Sequence, residues 1–317
     1  MGPSLGAGPF ALVGQDLADL EAAAMESIRA DGPPMATAMG PLFEAGGKRL
    51  RPALVFLSGR LGSFRSEHLS AAMAVELVHA ATLVHDDLID RATLRRGRPT
   101  VAHLLGPAPA IVIGDFYFAK AYEHAARTGE AAVVGEIARA VMRICSGELD
   151  QDSSRYRYGA TLDEYIARID AKTAALLVAS CWVGGWLGGL GDAELTCLRD
   201  YGRELGLAFQ IVDDVLDYTA ASTDLGKPVA KDLAEGYATL PLLLTELTEH
   251  LPDGRQLDQA TVERVAAQVR AGGGAERALE TARSHSHRAA AALANLPSGS
   301  AREALLELTE FVVERGL

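Results

Sequence analysis

The chain has 317 residues, of which 49% are apolar and 23% are charged, and these fractions are those of an ordinary globular protein. Its 30 Lys and Arg residues against 42 Asp and Glu residues give a formal net charge of -12. This charge argues against a nucleic-acid partner and requires local cations or a metal for any anionic substrate. Cys145, Cys181 and Cys197 form no CxxC pair, which argues against a disulfide scaffold or zinc site and favours a reducing cytoplasm.

Apolar residues recur mostly at intervals of three and four, without long strand-type alternation, so the pattern predicts an all-α chain. One helix is predicted after Ser66 and runs to about Asp90. A second opens at the capping box Thr161–Glu164, where the hydroxyl and the carboxylate can satisfy the free amides of the first turn. A third begins with Asp192 as its N-cap, and residues 302–315 form an amphipathic C-terminal helix.

Glycine and proline clusters interrupt this helical pattern, and none is long enough to be an interdomain linker. They fall at residues 31–34, 106–107, 188–191, 220–228, 272–274 and 297–300. A single domain over residues 1–317 is therefore expected.

Residues 174–191 carry no charge over 18 positions, which is close to the length of a transmembrane helix. Five of these residues are glycine, and the charged flanks Lys172 and Asp192 belong to patterned helical sequence. The stretch is therefore interpreted as a buried core helix that ends in a glycine-rich turn, and no membrane span is predicted.

The sequence contains two copies of the motif DDxxD, Asp86–Asp90 and Asp213–Asp217. Each copy lies at the C-terminal end of a segment whose apolar residues recur at helical spacing. On a helix the first and last Asp of a copy are four residues apart, so their carboxylates share one face and repel each other unless a cation intervenes. Two facing clusters would form a hard-oxygen site suited to Mg²⁺, which binds carboxylates together with substrate phosphates. The alternative is that each motif is a solvated acidic helix end, but the repeated spacing favours the metal site.

Cations cluster near both acidic motifs, and in a chain of negative net charge this indicates binding of metal-bridged phosphates, although each cluster alone could be a solvated face. His79 lies two helical turns before Asp86 and shares nearly its face, whereas a lone helical His is otherwise typical of an ordinary core or surface position. His85 points elsewhere and receives no role. The cations are Lys48, Arg49 and Arg51 in GGKRLRP, Arg95 and Arg96 after the first motif, and Lys172, Lys227 and Lys231 on either side of the second.

Between Leu42 and Leu244 the ordered set of motifs resembles the trans-isoprenyl diphosphate synthases, also called polyprenyl synthetases. The set is GGKRLRP, His79, HDDLID, LRRGRPT, GDFYFAKA, GELDQ, KTA, FQIVDDVLDY and LGKPVAKDL. The resemblance implies an all-α helical bundle around a central active-site cavity, usually as a homodimer. It also implies isopentenyl diphosphate and an allylic diphosphate as substrates, and Mg²⁺ as cofactor, with three ions per active site.

The resemblance further implies roles for individual residues. Metals and cations would stabilise the departing pyrophosphate while the isopentenyl double bond attacks the allylic cation, and the released pyrophosphate would accept the final proton. Asp86, Asp90, Lys172 and Asp213 are the expected catalytic residues. The expected metal ligands are Asp86, Asp90, Asp213 and Asp217. The residues expected to bind the allylic diphosphate are Arg95, Lys172, Thr173, Gln210 and Lys227. Those expected to bind isopentenyl diphosphate are Lys48, Arg51, His79 and Arg96.

Two positions depart from the family pattern. Tyr237 follows Gly236 where a basic residue is frequent, so one family contact is expected to be absent, with Lys231 as the compensating cation. Ala230 stands in place of a frequent glycine, and it is expected to stiffen the loop that bears Lys227.

The residues five and four positions before Asp86 are Ala81 and Thr82, both small. In the family that the chain resembles, side-chain bulk here limits product length, and short-chain enzymes tend to carry aromatic residues. The resemblance therefore predicts a product longer than farnesyl, with a medium or long polyprenyl favoured over geranylgeranyl. The alternative is that Ala81 is an ordinary core alanine and that another helix forms the floor of the product cavity, which limits the chain length.

Two other functions share some of these features. A class I terpene cyclase also uses an aspartate-rich helix and Mg²⁺, but the intact DDVLD, the GGKRLRP segment and Lys227 favour a synthase. A non-catalytic subunit of a heteromeric synthase would usually have degenerate aspartates, whereas both motifs here are intact.

Overall fold

A computed structural model describes residues 8–44, 47–219 and 230–314 of the protein. Within these ranges the chain forms fifteen α-helices and one short antiparallel hairpin, so the predicted all-α fold class is confirmed. The elements are α1 (Gly14–Ala30), α2 (Pro33–Glu44), α3 (Leu50–Gly59), α4 (Glu67–Ile89), β1 (Leu94–Arg95), β2 (Arg98–Pro99), α5 (Val101–Leu105), α6 (Pro107–Arg127), α7 (Ala131–Ser153), α8 (Leu162–Ile169), α9 (Ala175–Leu187), α10 (Asp192–Thr219), α11 (Lys231–Glu235), α12 (Leu240–Leu243), α13 (Gln259–Ala271), α14 (Gly274–Ala292) and α15 (Ser300–Glu314). Two short 3₁₀ segments, Gly8–Val13 and Glu246–His250, and a π-helical turn, Asp170–Ala174, complete the structure.

The helices group into two compact units. The first draws its described residues from the range up to Val141, from Ala179–Arg199 and from Asn295–Leu305. The second comprises Met142–Val178, Asp200–Ala294 and the range from Leu306 onward.

Close packing in the first unit depends on glycines that face other backbone or bulky rings. A Cβ on Gly184 would lie 2.3 Å from the Val55 carbonyl oxygen of α3. A Cβ on Gly59 would lie 2.3 Å from the imidazole of His68, whose Nε2 is 3.2 Å from the Gly184 carbonyl. Helix α4 has buried residues along most of its length, and most of these are alanine, valine or leucine. It begins after Ser66 and ends at Ile89, as the sequence predicts.

Helix α8 of the second unit and helix α10, whose first residues belong to the first unit, follow from the predicted sequence signals with one difference. The capping box is confirmed, since the Thr161 hydroxyl accepts from the Glu164 amide at 3.2 Å and the Glu164 carboxylate accepts from the Thr161 amide at 2.8 Å. Helix α10 begins at Asp192 itself rather than after it, and the Glu194 carboxylate accepts the Gly191 amide at 2.7 Å. One hydrophobic core of the second unit includes Tyr165, Ile169, Leu207, Ile211, Val215, Ala278 and Ala282.

The predicted breaks coincide with the ends of helices, except that residues 220–228 lie outside the described residues. The hairpin was not predicted, because strands of two residues are too short to show an alternating pattern. Its turn, Arg96-Gly97, has φ values of 50° and 75°, and positive φ at both central residues is what a tight type I′ hairpin requires.

The uncharged stretch at residues 174–191 forms α9, which has 13 residues and ends before a glycine-rich turn. The structure therefore confirms the predicted core helix. Among the helices described here, none combines the length and the apolar character that crossing a bilayer requires.

Candidate active site

The predicted site residues divide between the two units. The first unit holds Lys48, Arg51, His79, Ala81, Thr82, Asp86, Asp90, Arg95 and Arg96, and the second holds Lys172, Thr173, Gln210, Asp213 and Asp217. Lys227 lies outside the described residues.

The first aspartate motif occupies the C-terminal end of α4. Asp86 and Asp90 are both half-buried, and the Asp90 amide donates to the Asp86 carbonyl at 2.8 Å. A helix C-terminus carries partial negative charge, so carboxylates there are electrostatically unfavourable and a cation is favoured. The donor set at this end of α4 therefore suits a hard divalent ion.

Asp87, the middle residue of the first motif, has a structural contact that the sequence did not indicate. It is buried, and its two carboxylate oxygens lie 2.9 and 3.0 Å from Nε of Arg95. The hairpin turn brings Arg95 back onto the end of α4, so in this structure the predicted diphosphate ligand is held by a carboxylate.

Several arginine side chains lie near His79. Burial, and then the nearby guanidinium groups of Arg51 and Arg95, hold the pKa of His79 well below its ordinary value, so the imidazole is neutral. Arg96 also contributes to this effect, and its Nη1 lies 3.5 Å from the position that a Cβ on Gly47 would take. The structure thus places Arg51 and Arg96, two of the residues assigned to isopentenyl diphosphate, near His79, together with Arg95, which was assigned to the allylic diphosphate. Such a cluster is a suitable environment for a diphosphate.

Arg49 of the GGKRLRP segment is buried and bonded to carboxylates rather than available for phosphate. Its Nε donates to Glu21 at 2.8 Å, its Nη1 donates to Glu76, and its Nη2 donates to the Phe43 carbonyl at 3.0 Å. Counting Arg49 among the phosphate-facing cations was therefore wrong. The sequence carries no signal for this, since both carboxylates are more than 25 residues away in the chain.

The GDFYFAKA segment lies in α6, and its glycine permits a close contact with α4. A Cβ on Gly114 would lie 2.1 Å from Nε2 of His85. The same nitrogen lies 3.2 Å from the Ile111 carbonyl. His85 therefore packs against α6 in the structure.

The two residues proposed to control product length lie in the middle of α4. Ala81 is fully buried, and Thr82 is half-buried with its hydroxyl donating to the His79 carbonyl at 2.8 Å. Both positions lie one to two turns before Asp86 along the helix.

The second aspartate motif, in α10, is anchored through a chain of hydrogen bonds. Asp214 is buried and accepts from the Tyr165 hydroxyl at 2.6 Å and from Nε2 of Gln210 at 2.8 Å. Oε1 of Gln210 in turn accepts from the Thr173 hydroxyl at 2.7 Å. Two predicted substrate-binding residues, Thr173 and Gln210, are thus tied to the middle aspartate of the motif.

Asp217 caps the following helix, α11. Its carboxylate accepts the backbone amides of Lys231 and Asp232, both at 3.1 Å. Burial raises the pKa of Asp217, and burial together with the neighbouring carboxylates raises the pKa of Asp232 well above its ordinary value. Burial also raises the pKa of Asp214 to about 7. Negative charge is therefore costly in this cluster unless a cation is present.

The carboxylates of the two aspartate motifs are of the type that binds Mg²⁺. In the part of the chain that the structure describes, no group of three His, Cys, Asp or Glu side chains could hold an ion. Mg²⁺ sites commonly use one or two carboxylates, with water and substrate phosphate as the other ligands. The carboxylates at the end of α4 and in α10 are suited to such a role.

Lys172 and Thr173 lie in the π-helical turn Asp170–Ala174, a local insertion that often occurs at functional sites. Two glycines allow neighbouring helices to approach this turn. A Cβ on Gly147 would lie 2.9 Å from the Lys172 amide, and a Cβ on Gly206 would lie 2.6 Å from Cα of Ala174. Nζ of Lys172 lies 2.5 Å from the Glu148 carboxylate. The turn is therefore held on two sides by backbone contact.

The two departures from the family pattern have clear structural settings. Tyr237 is buried, and the guanidinium of Arg155 lies 5.4 Å from its ring. Lys231, the expected compensating cation, lies 3.1 Å from the Glu235 carboxylate. Ala230 has a left-handed backbone with φ of 58°, which a glycine would adopt at lower cost.

Comparison with known proteins identifies the family. The polyprenyl synthetase family profile matches residues 33–270. The chain belongs to the polyprenyl synthetase family. It is therefore a prenyltransferase, as predicted from the sequence.

Several proteins are similar to this chain over nearly their whole length. The chain is 34% identical over 312 residues to heptaprenyl diphosphate synthase component 2 of Geobacillus stearothermophilus, covering 96% of this chain and 98% of the relative. It is 34% identical over 314 residues to octaprenyl diphosphate synthase of Escherichia coli, covering 96% and 97%. The crystal structure of a polyprenyl synthase from Caulobacter crescentus, complexed with calcium and isoprenyl diphosphate, matches with a TM-score of 0.89 and 34% identity, covering 98% and 97%.

Proposed function

We propose that the protein is a Mg²⁺-dependent trans-polyprenyl diphosphate synthase that condenses isopentenyl diphosphate head-to-tail with an allylic diphosphate. The observation that carries this proposal is the cluster of Arg51, Arg95 and Arg96 near a neutral His79. His79 belongs to α4, the helix whose C-terminal end bears Asp86 and Asp90. Cations next to a carboxylate pair suit a metal–diphosphate ligand.

Isopentenyl diphosphate is assigned to the first unit, where Lys48, Arg51, His79 and Arg96 would hold its diphosphate. A neutral imidazole at His79 can donate one hydrogen bond to a phosphate oxygen without needing a counter-ion. The guanidinium groups provide planar, multiple donors that match phosphate geometry. This arrangement fixes the position of the double bond relative to the reacting carbon.

The allylic diphosphate is assigned to Arg95, Lys172, Thr173, Gln210 and Lys227. Thr173 donates a hydrogen bond to Gln210, and Gln210 donates one to Asp214. These bonds orient the side chains of Thr173 and Gln210 before substrate binds. The ion pairs of Arg95 with Asp87 and of Lys172 with Glu148 hold two further cations in a restrained geometry. Restrained donors stabilise charge on a leaving group with little reorganisation.

Asp86, Asp90, Asp213 and Asp217 would hold Mg²⁺, with three ions per active site. When bound, the ions neutralise the departing pyrophosphate and so lower the barrier to ionisation of the allylic substrate. The calcium and isoprenyl diphosphate in the Caulobacter crescentus relative support a divalent-ion site in this protein.

A product longer than farnesyl is proposed from the small side chains Ala81 and Thr82 in α4. The names of the heptaprenyl and octaprenyl relatives support this assignment. The shorter alternative is geranylgeranyl diphosphate, which product analysis distinguishes directly.

The protein is further proposed to act as one domain over residues 1–317, in the cytoplasm, and as a homodimer. The family match covers residues of both units. Exposed apolar side chains support self-association: Ile111 and Val112 on α6 are 47% and 62% exposed, and Met142 and Leu149 on α7 are 61% and 73% exposed. Such side chains are usually covered when they form part of an interface.

Mass spectrometry of the products made from each short allylic primer, isopentenyl diphosphate and Mg²⁺ tests the proposed reaction. A series of prenyl diphosphates longer than farnesyl is the expected result. A hydrocarbon formed from the allylic diphosphate alone would instead identify a terpene cyclase. Inactivity of the purified chain, with activity restored by a second protein, would identify one component of a heteromeric synthase, as the name of the Geobacillus relative suggests.

Asp86→Asn and Asp213→Asn test the metal assignment. Each should lower kcat/KM by roughly 100-fold or more, because a ligand for the charge-stabilising ions is lost. Asp200→Asn is the matched control, since Asp200 is an exposed aspartate earlier in α10. Retention of full activity by Asp86→Asn or Asp213→Asn would contradict the assignment.

A further inference from the structure

Arg49 joins three helices of the first unit through a buried network of charges. Glu21 belongs to α1, Arg49 directly precedes α3, and Glu76 belongs to α4. Arg49 and Glu76 are 8% and 7% exposed, and Arg49 uses all three of its nitrogens as donors. A guanidinium can bridge two carboxylates and a carbonyl in this way because its donors lie in one rigid plane.

The backbone at Arg49 is also unusual. Its φ of 47° lies in the left-handed region, which is unfavourable for a residue with a side chain. Such a conformation persists only when the surrounding contacts hold it. The three hydrogen bonds of the Arg49 side chain supply that restraint.

The position of Arg49 in the chain links this restraint to substrate binding. It lies between Lys48 and Arg51, both assigned to isopentenyl diphosphate, so its backbone conformation sets the directions in which they leave the chain. Glu76 is one helical turn before His79, another residue of the same pocket. The Glu76 carboxylate also acts on Arg96, whose pKa is lowered mainly by burial and by neighbouring arginines and is partly restored by this carboxylate.

We infer that Arg49 is a positioning residue for isopentenyl diphosphate, with Glu21 and Glu76 as its anchors. The network holds Lys48 and Arg51 in place and offsets the repulsion between the neighbouring cations before the diphosphate binds. This inference rests on the proposed function and deepens it. It adds residues that do not touch substrate, including one from the N-terminal helix α1.

The experiment measures steady-state kinetics of Arg49→Lys and Glu21→Gln with each substrate varied in turn. Arg49→Lys keeps the charge but cannot make the three planar hydrogen bonds, so KM for isopentenyl diphosphate should rise by roughly 10-fold or more. KM for the allylic diphosphate should stay within about twofold, since Arg95 is the one assigned allylic ligand near this cluster and it is held separately by Asp87. Glu21→Gln should give a smaller rise in the same direction, and because Glu21 is partly exposed this variant is expected to fold.

Asp16→Asn is the matched control. Asp16 of α1 pairs with Arg60 at the end of α3 at 2.6 Å, so it also joins these helices but lies outside GGKRLRP. Its variant should leave both KM values unchanged. A purely structural role for Arg49 would lower the melting temperature and the active fraction without separating the two KM values.

The outcomes separate this inference from the proposed function. Wild-type protein that fails to incorporate isopentenyl diphosphate contradicts the proposed function. Calorimetry with isopentenyl diphosphate as the titrant then tests the inference alone, because Arg49→Lys should still weaken binding relative to Asp16→Asn. The inference is overturned if wild-type protein does not bind isopentenyl diphosphate, if both KM values change equally, or if Arg49→Lys and Asp16→Asn behave alike.

Discussion

Replacing Gly206 by alanine is expected to disturb the π-helical turn that bears Lys172 and Thr173. A Cβ on Gly206 would lie 2.6 Å from Cα and 2.7 Å from Cβ of Ala174, so backbone has to move by several tenths of an ångström. Overpacking of this kind costs about 3 kcal/mol at the upper end of its usual range. Alanine recovers about 1 kcal/mol through its higher helix propensity. The expected net destabilisation is therefore about 2 kcal/mol, or a melting temperature lower by roughly 4 °C.

The effect on activity should exceed the effect on stability. The displaced segment carries Lys172 and Thr173, and a misplacement of about 1 Å in a substrate-positioning group can cost roughly 100-fold in rate. Circular dichroism melting and kcat/KM for the allylic substrate measure the two effects separately.

Gly135→Ala in α7 is the control for the Gly206 substitution. A Cβ on Gly135 would meet only the end of the Arg139 side chain, at 3.4 Å. This variant should therefore melt at the same or a higher temperature, because it gains helix propensity without a clash. If Gly206→Ala is as stable and as active as Gly135→Ala, the proposed restraint on the π-helical turn is wrong.

Further predictions concern pH, product length and thiol reactivity. Burial raises the pKa of Asp214 from 3.8 to about 7, so between these values the folded protein binds a proton that the unfolded chain has released. In the presence of a chelator, the free energy of unfolding should therefore fall as pH rises from 4 to 7, by up to about 4 kcal/mol from this group; Asp214→Asn should flatten that dependence in denaturant titrations, and an unchanged slope would contradict it. Ala81→Phe should shorten the product by adding bulk before the first aspartate motif. An unchanged chain length on product chromatography would refute the proposed role of Ala81 in limiting product length. Cys181 is fully buried, and burial raises the pKa of its thiol, so Ellman's reagent should modify it only after unfolding; rapid modification of all three thiols in the native protein would be inconsistent with this packing.

The local features of the fold were predictable because they depend on neighbouring residues. The capping box of α8 is encoded within four residues, and the burial of α9 follows from its lack of charge. The grouping of His79 with Arg51 and Arg96 was expected only from the family resemblance. Helical spacing indicates which residues share a face, but it does not indicate which other helix that face meets.

The features that sequence reasoning missed depend on distant contacts. Glu21 and Glu76 make Arg49 a buried anchor, although the sequence shows only a run of cations. The contact between Gly206 and Ala174 requires knowledge of which helices are adjacent. Tertiary partners of this kind override local charge and propensity, so no rule based on spacing would have identified them.

The carboxylates at the end of α4 have a practical consequence for handling the protein. They accumulate negative charge where the helix already presents its negative pole, so the apo form should be the least stable form of the enzyme. Any ligand that binds only the folded state raises its melting temperature according to its concentration and affinity. Thermal shift in the presence of different divalent salts and pyrophosphate would thus rank cofactors without an activity assay. Storage buffers that contain a chelator should shorten the shelf life of the preparation.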